Sequence, residues 1–149
     1  MILQKQTQPV STVILFKCAV KNQDDQYLLI KKKSDAEWNA NKWEFPGGKV
    51  RPREDPFKGL KRKVMEETGL NIIWIYPTVF LKSEVIEQGN NAGDTLLRIA
   101  GETDQYDGVI KLGDEHTEYR WVSPKEFLDM DMDLTDRTRE VFEYLNFGK

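Results

Sequence analysis

Cysteine and histidine are the scarcest reactive residues, since the 149-residue chain has one of each, Cys18 and His116. A single cysteine excludes a disulfide within the chain, which fits a reducing compartment. One histidine and one distant cysteine cannot build a zinc site. Cys18 lies in an apolar run and is predicted to be a small buried hydrophobe. His116 is predicted to be a loop residue.

Long hydrophobic runs are also missing. The longest apolar run, residues 13–16, is far too short to span a bilayer. Residues 1–8 are polar after Leu3, so no signal peptide is expected. The sequence therefore predicts a cytoplasmic protein without a membrane partner.

An excess of positive charge is absent as well. Lysine and arginine total 22, aspartate and glutamate total 25, and the formal net charge is −3. This balance disfavours a nucleic-acid polymer as partner, although a local site charge or a bound cation can still attract a small anion. One alternative for the function is a nucleic-acid or protein interaction domain. A salt-dependent test of DNA and RNA binding would separate its nucleic-acid version from an enzyme that acts on a small molecule.

The pattern of the chain predicts one domain over residues 1–149, built from alternating strands and helices. Runs of β-branched and apolar residues predict strands at 10–20, 27–33, 43–45, 71–85, 95–103 and 118–122. A capping box at residues 123–126 opens a short helix, and residues 135–147 form a terminal amphipathic helix. This mixture predicts an α/β or α+β sandwich.

A further helix is predicted over Pro56–Thr68. Asp55 is a good N-cap, proline fits the first helical turn, and Gly69 stands where a glycine cap is expected. The face that packs on the core is predicted from apolar residues at helical spacing, which are Phe57, Leu60 and Val64.

A glycine turn precedes this helix and acidic residues lie on it. Gly47 and Gly48 have no Cβ, so their backbone can approach a cation or a phosphate closely. Glu66 and Glu67 stand three and four residues after Lys63, so these side chains share one side of the helix. Adjacent carboxylates suit Mg²⁺, which could neutralise a diphosphate and activate a water. Composition alone would favour a solvated charged helix, and the spacing decides otherwise.

The spacing resembles the signature of Nudix hydrolases, G-x5-E-x7-R-E-U-x-E-E-x-G-U, where U is a bulky aliphatic residue. Eight of its nine fixed positions, over 23 residues, are matched by Gly48, Glu54, Arg62, Val64, Glu66, Glu67, Gly69 and Leu70. The run at 39–48 also resembles the segment before this box in MutT-type members. The resemblance implies an α/β fold, the Nudix-type α/β/α sandwich around a mixed β-sheet.

The resemblance also implies a metal site for Mg²⁺ (or Mn²⁺). Glu66 and Glu67 are the expected ligands, with the carbonyl of Gly47 as a third. A further carboxylate usually comes from a loop near the last strand, and Glu118 is the first choice for it, with Glu115 second. A surface strand position is an equally good interpretation of Glu118.

The box departs from the pattern at its ninth position, where Lys63 replaces a glutamate. A protonated lysine cannot ligate Mg²⁺ and is a poor base, so Lys63 could act as a tethered cation in a metal subsite. Either Glu118, Glu115 or Glu84 activates water and the enzyme is slowed on the order of 10²–10⁴-fold, or the domain binds its nucleotide as a sensor or regulator. The first alternative is favoured because the other carboxylates and both glycines remain.

The remaining implied roles concern positioning and substrate. Arg62 and Glu54 resemble an ion pair that positions the helix. The expected substrate is a nucleoside triphosphate, with oxidised purines among the candidates, cleaved to monophosphate and pyrophosphate. The predicted substrate-binding residues are Lys33 and Gly48 at the phosphates, with Lys31, Lys32 and Lys42 as weaker candidates there, Phe45 stacking on the base, and Asp136 or Asp133 at the base edge.

Each of these substrate contacts has a simpler alternative. A lysine at a strand end is often only solvated, Phe45 is expected mainly to pack in the core, and Asp136 could cap the last helix. Trp38 and Trp43 could stack on a base instead. A homodimer through the terminal helix and the early strands also stays open.

Overall fold

Strands dominate the structure, a computed structural model that describes residues 11–129 and 133–147. Within those ranges, the elements in chain order are β1 (Thr12–Val20), β2 (Tyr27–Lys32), β3 (Trp43–Glu44), β4 (Gly47–Lys49), α1 (Pro56–Thr68), β5 (Asn71–Val85), β6 (Thr95–Asp107), β7 (His116–Val122), α2 (Pro124–Asp129) and α3 (Asp136–Phe147).

The larger of two sheets is mixed. Its four strands have the order β4-β1-β6-β5. The parallel pair is β1 with β6, in register from Thr12 opposite Thr95 to Val20 opposite Thr103, whereas β4 and β5 pair antiparallel with their neighbours. The smaller sheet, β3-β2-β7, is antiparallel. The predicted mixed sheet is thus confirmed.

Two apolar clusters divide the core between α1 and α3. Because successive side chains of a strand point to opposite faces, Cys18 packs with Leu60 and Val64 of α1, while its neighbour Ala19 packs with Phe142 of α3. Cys18 is fully buried, as predicted. Helices therefore pack on both sides of the sheet layer, in agreement with the expected α/β/α sandwich.

Helix α1 begins and ends where its caps predict. The Asp55 carboxylate accepts a hydrogen bond from the Lys58 backbone N–H at 3.0 Å. Gly69 has a left-handed φ of 75° and its N–H donates to the Met65 carbonyl. These signals set the two ends of the helix from within its own segment.

The predicted apolar face of α1 was wrong at one position. Leu60 and Val64 are buried, but Phe57 is 49% exposed. Phe57 lies in the first helical turn and reaches the sheet through an edge-on contact with Phe16, with ring centroids 5.6 Å apart. The first turn is therefore at the rim of the core.

The glycine turn forms a strand, which the sequence did not predict. In β4, Gly47 pairs antiparallel with Lys17 of β1. Gly47 has a φ of 125°, and a Cβ on it would clash with the backbone carbonyl of Phe16. Glycine has little strand propensity, so this short strand depends on the close approach of two backbones.

Several strand boundaries also differ from the predicted ones. β6 extends to Asp107, four residues beyond the predicted end, β7 begins at His116, and β2 ends at Lys32. The predicted start of the first strand at residue 10 falls outside the described residues. The Ser123 hydroxyl accepts from the Glu126 N–H at 3.1 Å, as expected for the cap of α2.

Among the described helices, none is both long and apolar enough to cross a membrane.

Truncation of Phe142 should destabilise the fold. Phe142 is fully buried, and its ring contacts Tyr27 edge-on with centroids 5.9 Å apart. Phe142→Ala removes this packing and leaves a cavity, so the free energy of unfolding in urea should fall by about 3–5 kcal/mol. The control Glu143→Ala, on the exposed side of α3, should change it by less than about 0.5 kcal/mol. A loss below about 1 kcal/mol in Phe142→Ala would contradict this assignment of the core.

Candidate active site

A cavity of about 580 Å³ opens beside the glycine turn. Its lining residues come from each of the strands β1 to β7, from the second half of α1, from the first turns of α3 and from the loops between these elements. Helix α1, which carries most of the box, forms one wall of the cavity. Its N-cap and the glycine turn before it determine where its last two turns lie. This is the volume of a small-molecule site.

The cavity lining is cationic although the chain carries a net charge of −3. Its eight cationic residues are Lys17, Lys32, Lys49, Arg51, Arg62, Lys63, Arg98 and Arg137, and its four carboxylates are Glu44, Glu66, Glu67 and Glu115. Among the residues that the structure describes, three further carboxylates outside the lining pair with these cations, Glu54, Glu84 and Glu140. Eight positive charges against seven still favour an anionic ligand.

Arg62 connects the box turn to the box helix. Its Nε and Nη2 donate to the two oxygens of Glu54 at 2.8 and 2.9 Å, and its Nη1 donates to Glu66 at 3.2 Å. Glu54 also accepts from the Arg51 N–H. Hydrogen bonds from Arg62 and Arg51 lower the pKa of Glu54 to about 2. The structure therefore brings together the pair that the resemblance implied, in a bidentate geometry.

Glu67 faces inwards at the floor of the cavity. Its side chain is 9% exposed, and its Oε1 accepts from the Gly47 N–H at 2.8 Å. Its Oε2 lies 3.9 Å from Nε2 of His116. Burial raises the pKa of Glu67, against the lowering influence of Lys17 and of the Gly47 N–H. Glu66, by contrast, is 48% exposed at the helix surface.

Lys17 inserts an ammonium group among the acceptors next to this floor. Its Nζ donates to Oε1 of Glu44 at 2.6 Å and to the carbonyl of Gly47 at 3.0 Å. Burial alone would raise the pKa of Glu44, but Lys17 and His116 outweigh it and lower the pKa to about 2. Lys17 and Glu44 thus form an ion pair with little access to water, 18% and 10% exposed.

Lys63 lies across the second glycine of the turn. A Cβ on Gly48 would meet Cε of Lys63 at 2.6 Å. The lysine stem therefore covers Gly48, and the side chain lines the cavity. The residue that departs from the box pattern is part of the site and does not point away from it.

Besides Glu54 and Glu84, which pair with cations of the lining, three of the preferred predicted site residues are outside the cavity lining. Glu118 is 59% exposed and lies 3.5 Å from Nζ of Lys31. A register shift between Lys31 and Lys32 interrupts the alternation between His116 and Glu118, so the cavity receives His116 and not Glu118. Glu115, the second choice, does line the cavity.

Lys33 and Asp136 are the other two. Lys33 lies 4.0 Å from Asp35, and Lys32 lines the cavity in its place. Asp136 is the first residue of α3, but the hydroxyl of Thr135 caps this helix, accepting from the Thr138 N–H at 3.2 Å.

Aromatic residues differ in their access to the cavity. Phe45 lines it but is only 1% exposed and belongs to the core cluster of α3. Trp38 lines it and is 64% exposed. A base could therefore stack on Trp38, while Phe45 mainly packs.

Sequence reasoning missed Lys17, Glu44 and His116. His116 is not a loop residue: it begins β7, is 5% exposed and lines the cavity. Among the described residues, neither ring nitrogen has a hydrogen-bond partner, and Nε2 lies 3.7 Å from Glu44. The one available signal was a charged lysine inside an apolar strand, at Lys17.

The predicted metal ligands do not fit a divalent cation as they are arranged. Lys17 donates to the Gly47 carbonyl, Arg62 to Glu66, and the Gly47 N–H to Glu67. Glu118 lies elsewhere. Within residues 11–129 and 133–147, no group of three or more His, Cys, Asp or Glu is placed to hold a metal.

Comparison with known proteins gives one family. The NUDIX domain model matches residues 12–145. The nucleoside triphosphatase NudI of Escherichia coli O17:K52:H18 (strain UMN026 / ExPEC) is 24% identical over 125 residues, which cover 80% of this chain and 89% of that protein.

Solved structures agree. The MutT protein from Methanosarcina mazei Go1 is 27% identical with a TM-score of 0.76, covering 96% of this chain and 99% of that one. A MutT NUDIX hydrolase from Burkholderia pseudomallei, 22% identical with a TM-score of 0.73, covers 91% of this chain and 99% of that one, and it supports the fold.

The pair of Arg62 and Glu54 should make the stability depend on pH. The pKa of Glu54 is lowered from 4.5 to about 2 in the folded chain, so its stabilising contribution is present above about pH 4.5 and is lost as the pH falls towards 2. Glu54→Gln should therefore lower the urea midpoint of unfolding more at pH 6 than at pH 3. The exposed Glu143→Gln should shift both midpoints equally, and an equal shift in Glu54→Gln would refute the coupling.

Proposed function

The chain belongs to the NUDIX domain family, and from that premise we propose that it hydrolyses nucleoside triphosphates to monophosphate and pyrophosphate. Family membership and the likeness to NudI and MutT proteins support a pyrophosphohydrolase acting on a nucleotide-linked bond. The observation that carries the proposal is the cationic cavity walled by the box helix.

The cations of the cavity suit a polyphosphate chain. Arg51 and Lys49 follow the glycine turn and line the cavity together with Lys32. Guanidinium groups bind phosphate oxygens in pairs, and ammonium groups act as point charges. The backbone of Gly48 has no Cβ to keep a phosphate away, and the exposed ring of Trp38 offers a stacking surface for the base.

The proposed reaction needs one activated water. Its oxygen attacks the α-phosphorus, the bond from that phosphorus to the bridging oxygen breaks, and pyrophosphate leaves. Of the three carboxylates predicted to take the proton, only Glu115 lines the cavity, which supports it over Glu118 and Glu84. Glu67 is a second candidate, because its raised pKa brings it nearer to the working range of a base.

A nucleotide-binding sensor or regulator is the second candidate function. The position of Lys63 over Gly48 favours it, since the ammonium is inside the site where the family has a carboxylate.

NUDIX hydrolases generally use divalent metals. The hydrolysis assay described below also tests the predicted Mg²⁺ (or Mn²⁺). That test is needed because Lys17 and Arg62 already donate hydrogen bonds to predicted metal ligands, the Gly47 carbonyl and Glu66.

Four sequence predictions accompany this proposal. They are the single domain over residues 1–149, the homodimer, the oxidised purine as a substrate and the cytoplasmic location. Size-exclusion chromatography with light scattering would decide the homodimer, and 8-oxo-dGTP in the assay below would test the oxidised purine.

The rate of nucleotide hydrolysis should rise when Lys63 is replaced by the glutamate of the family pattern. We expect slow release of pyrophosphate by the wild type with Mg²⁺ or Mn²⁺, and a gain on the order of 10²-fold in Lys63→Glu, since a positioned base contributes about 10²–10⁴-fold. The substrates would be the common triphosphates, 8-oxo-dGTP, ADP-ribose and a dinucleoside polyphosphate, with products measured by anion-exchange chromatography.

Lys61→Glu is the matched control, because it makes the same charge change on an exposed position of the same helix. It should leave the rate unchanged. No turnover by the wild type, with turnover in Lys63→Glu, would support the sensor. No turnover by either protein, and no nucleotide binding, would reject both candidate functions.

A further inference from the structure

The ammonium group of Lys17 lies where box acceptors converge. It is within 2.6 Å of a Glu44 oxygen and 3.0 Å of the Gly47 carbonyl. Gly47 in turn donates its N–H to Glu67. An ammonium has three donors and no acceptor, so it occupies oxygen lone pairs as a small cation would.

Because Lys17 and Glu44 are buried, water cannot easily replace the hydrogen bonds between them. Lys17 and Glu44 are 18% and 10% exposed, and a buried carboxylate that loses its only strong cationic partner is costly. His116, 3.7 Å away, is the other group beside Glu44. The strand also fixes the lysine, because Lys17 pairs with Gly47 in the β1–β4 ladder.

Lys63 adds a second ammonium at the same turn, since its Nζ would lie 3.4 Å from a Cβ built on Gly48. Its stem covers Gly48, and its charge acts on Glu67 together with that of Lys17. A divalent cation brought to the Gly47 carbonyl would therefore meet two positive charges. The Lys17 ammonium, 3.0 Å from that carbonyl, would repel such a cation strongly where water is scarce.

We propose that Lys17 and Lys63 are resident cations of this site, which bind the nucleotide polyphosphate in the absence of a divalent metal and exclude a metal from the Gly47 carbonyl. The ligand is then a metal-free nucleoside polyphosphate. This inference rests on the proposed function for the identity of the ligand, but the exclusion of metal is a separate property of the residues.

The first test uses Mn²⁺ alone, without nucleotide. Electron paramagnetic resonance of free Mn²⁺ should show no saturable site in the wild type below about 1 mM. Lys17→Met with Lys63→Glu should gain one site per chain, with affinity at least about tenfold tighter, because it removes two cations and adds a carboxylate. Saturable binding by the wild type at the same affinity as the double variant overturns the proposal.

Folding of the variants has its own controls. Lys17→Met leaves Glu44 without the ammonium group that pairs with it. The melting temperature of this variant should therefore fall in EDTA and recover with Mn²⁺. Lys17→Met with Glu44→Gln removes the carboxylate charge too and should melt close to the wild type, with no response to Mn²⁺. Lys21→Met, four residues further along and outside the cavity lining, is the matched control and should resemble the wild type throughout.

The second test measures nucleotide binding by calorimetry, with a triphosphate analogue whose α and β phosphorus atoms are bridged by methylene. The wild-type Kd should agree within about threefold between EDTA and Mg²⁺, whereas the double variant should weaken at least about tenfold in EDTA and recover in Mg²⁺. A wild-type Kd that depends on Mg²⁺ to that extent overturns the proposal. Absence of any nucleotide binding rejects the proposed function, and the Mn²⁺ experiment then still decides whether the lysines exclude metal.

Discussion

The close approach of two backbones at Gly47 is the constraint on which the site depends. Only a residue without a Cβ can lie against the Phe16 carbonyl, and that contact sets β4 beside β1. The Gly47 N–H then meets Glu67 at the end of α1, and its carbonyl meets Lys17 of β1. One glycine therefore joins the helix, the sheet and the charged floor of the cavity.

Charge neutralisation within the protein follows from this geometry. Each box carboxylate has a partner that belongs to the chain: Glu54 and Glu66 have Arg62, and Glu67 has the Gly47 N–H. Buried charges are tolerated only when they are paired and hydrogen-bonded. A site that satisfies its own acidic groups has less need of a bound cation, and its remaining cations are available for an anionic ligand.

The accuracy of prediction followed the range of the interactions. Helix α1 was predicted to the residue because Asp55 and Gly69 are signals within its own segment. Glu118 was chosen from a position in a strand, but a register shift opposite Lys31 and Lys32 decides which residue faces the cavity. Lys17 could not be assigned at all, since its partners are 27 and 30 residues away and only the sheet brings them near.

A box motif specifies the backbone more firmly than it specifies chemistry. The glycines, the caps and the pair of Arg62 with Glu54 fix the turn and the helix, and none of them needs the residue at position 63. That position can therefore change from an acidic to a basic residue while the fold stays the same. The electrostatics of the cavity change with that residue. The same backbone can thus support metal-assisted hydrolysis or direct binding of an anion by lysine, depending on a few side chains such as Lys17 and Lys63.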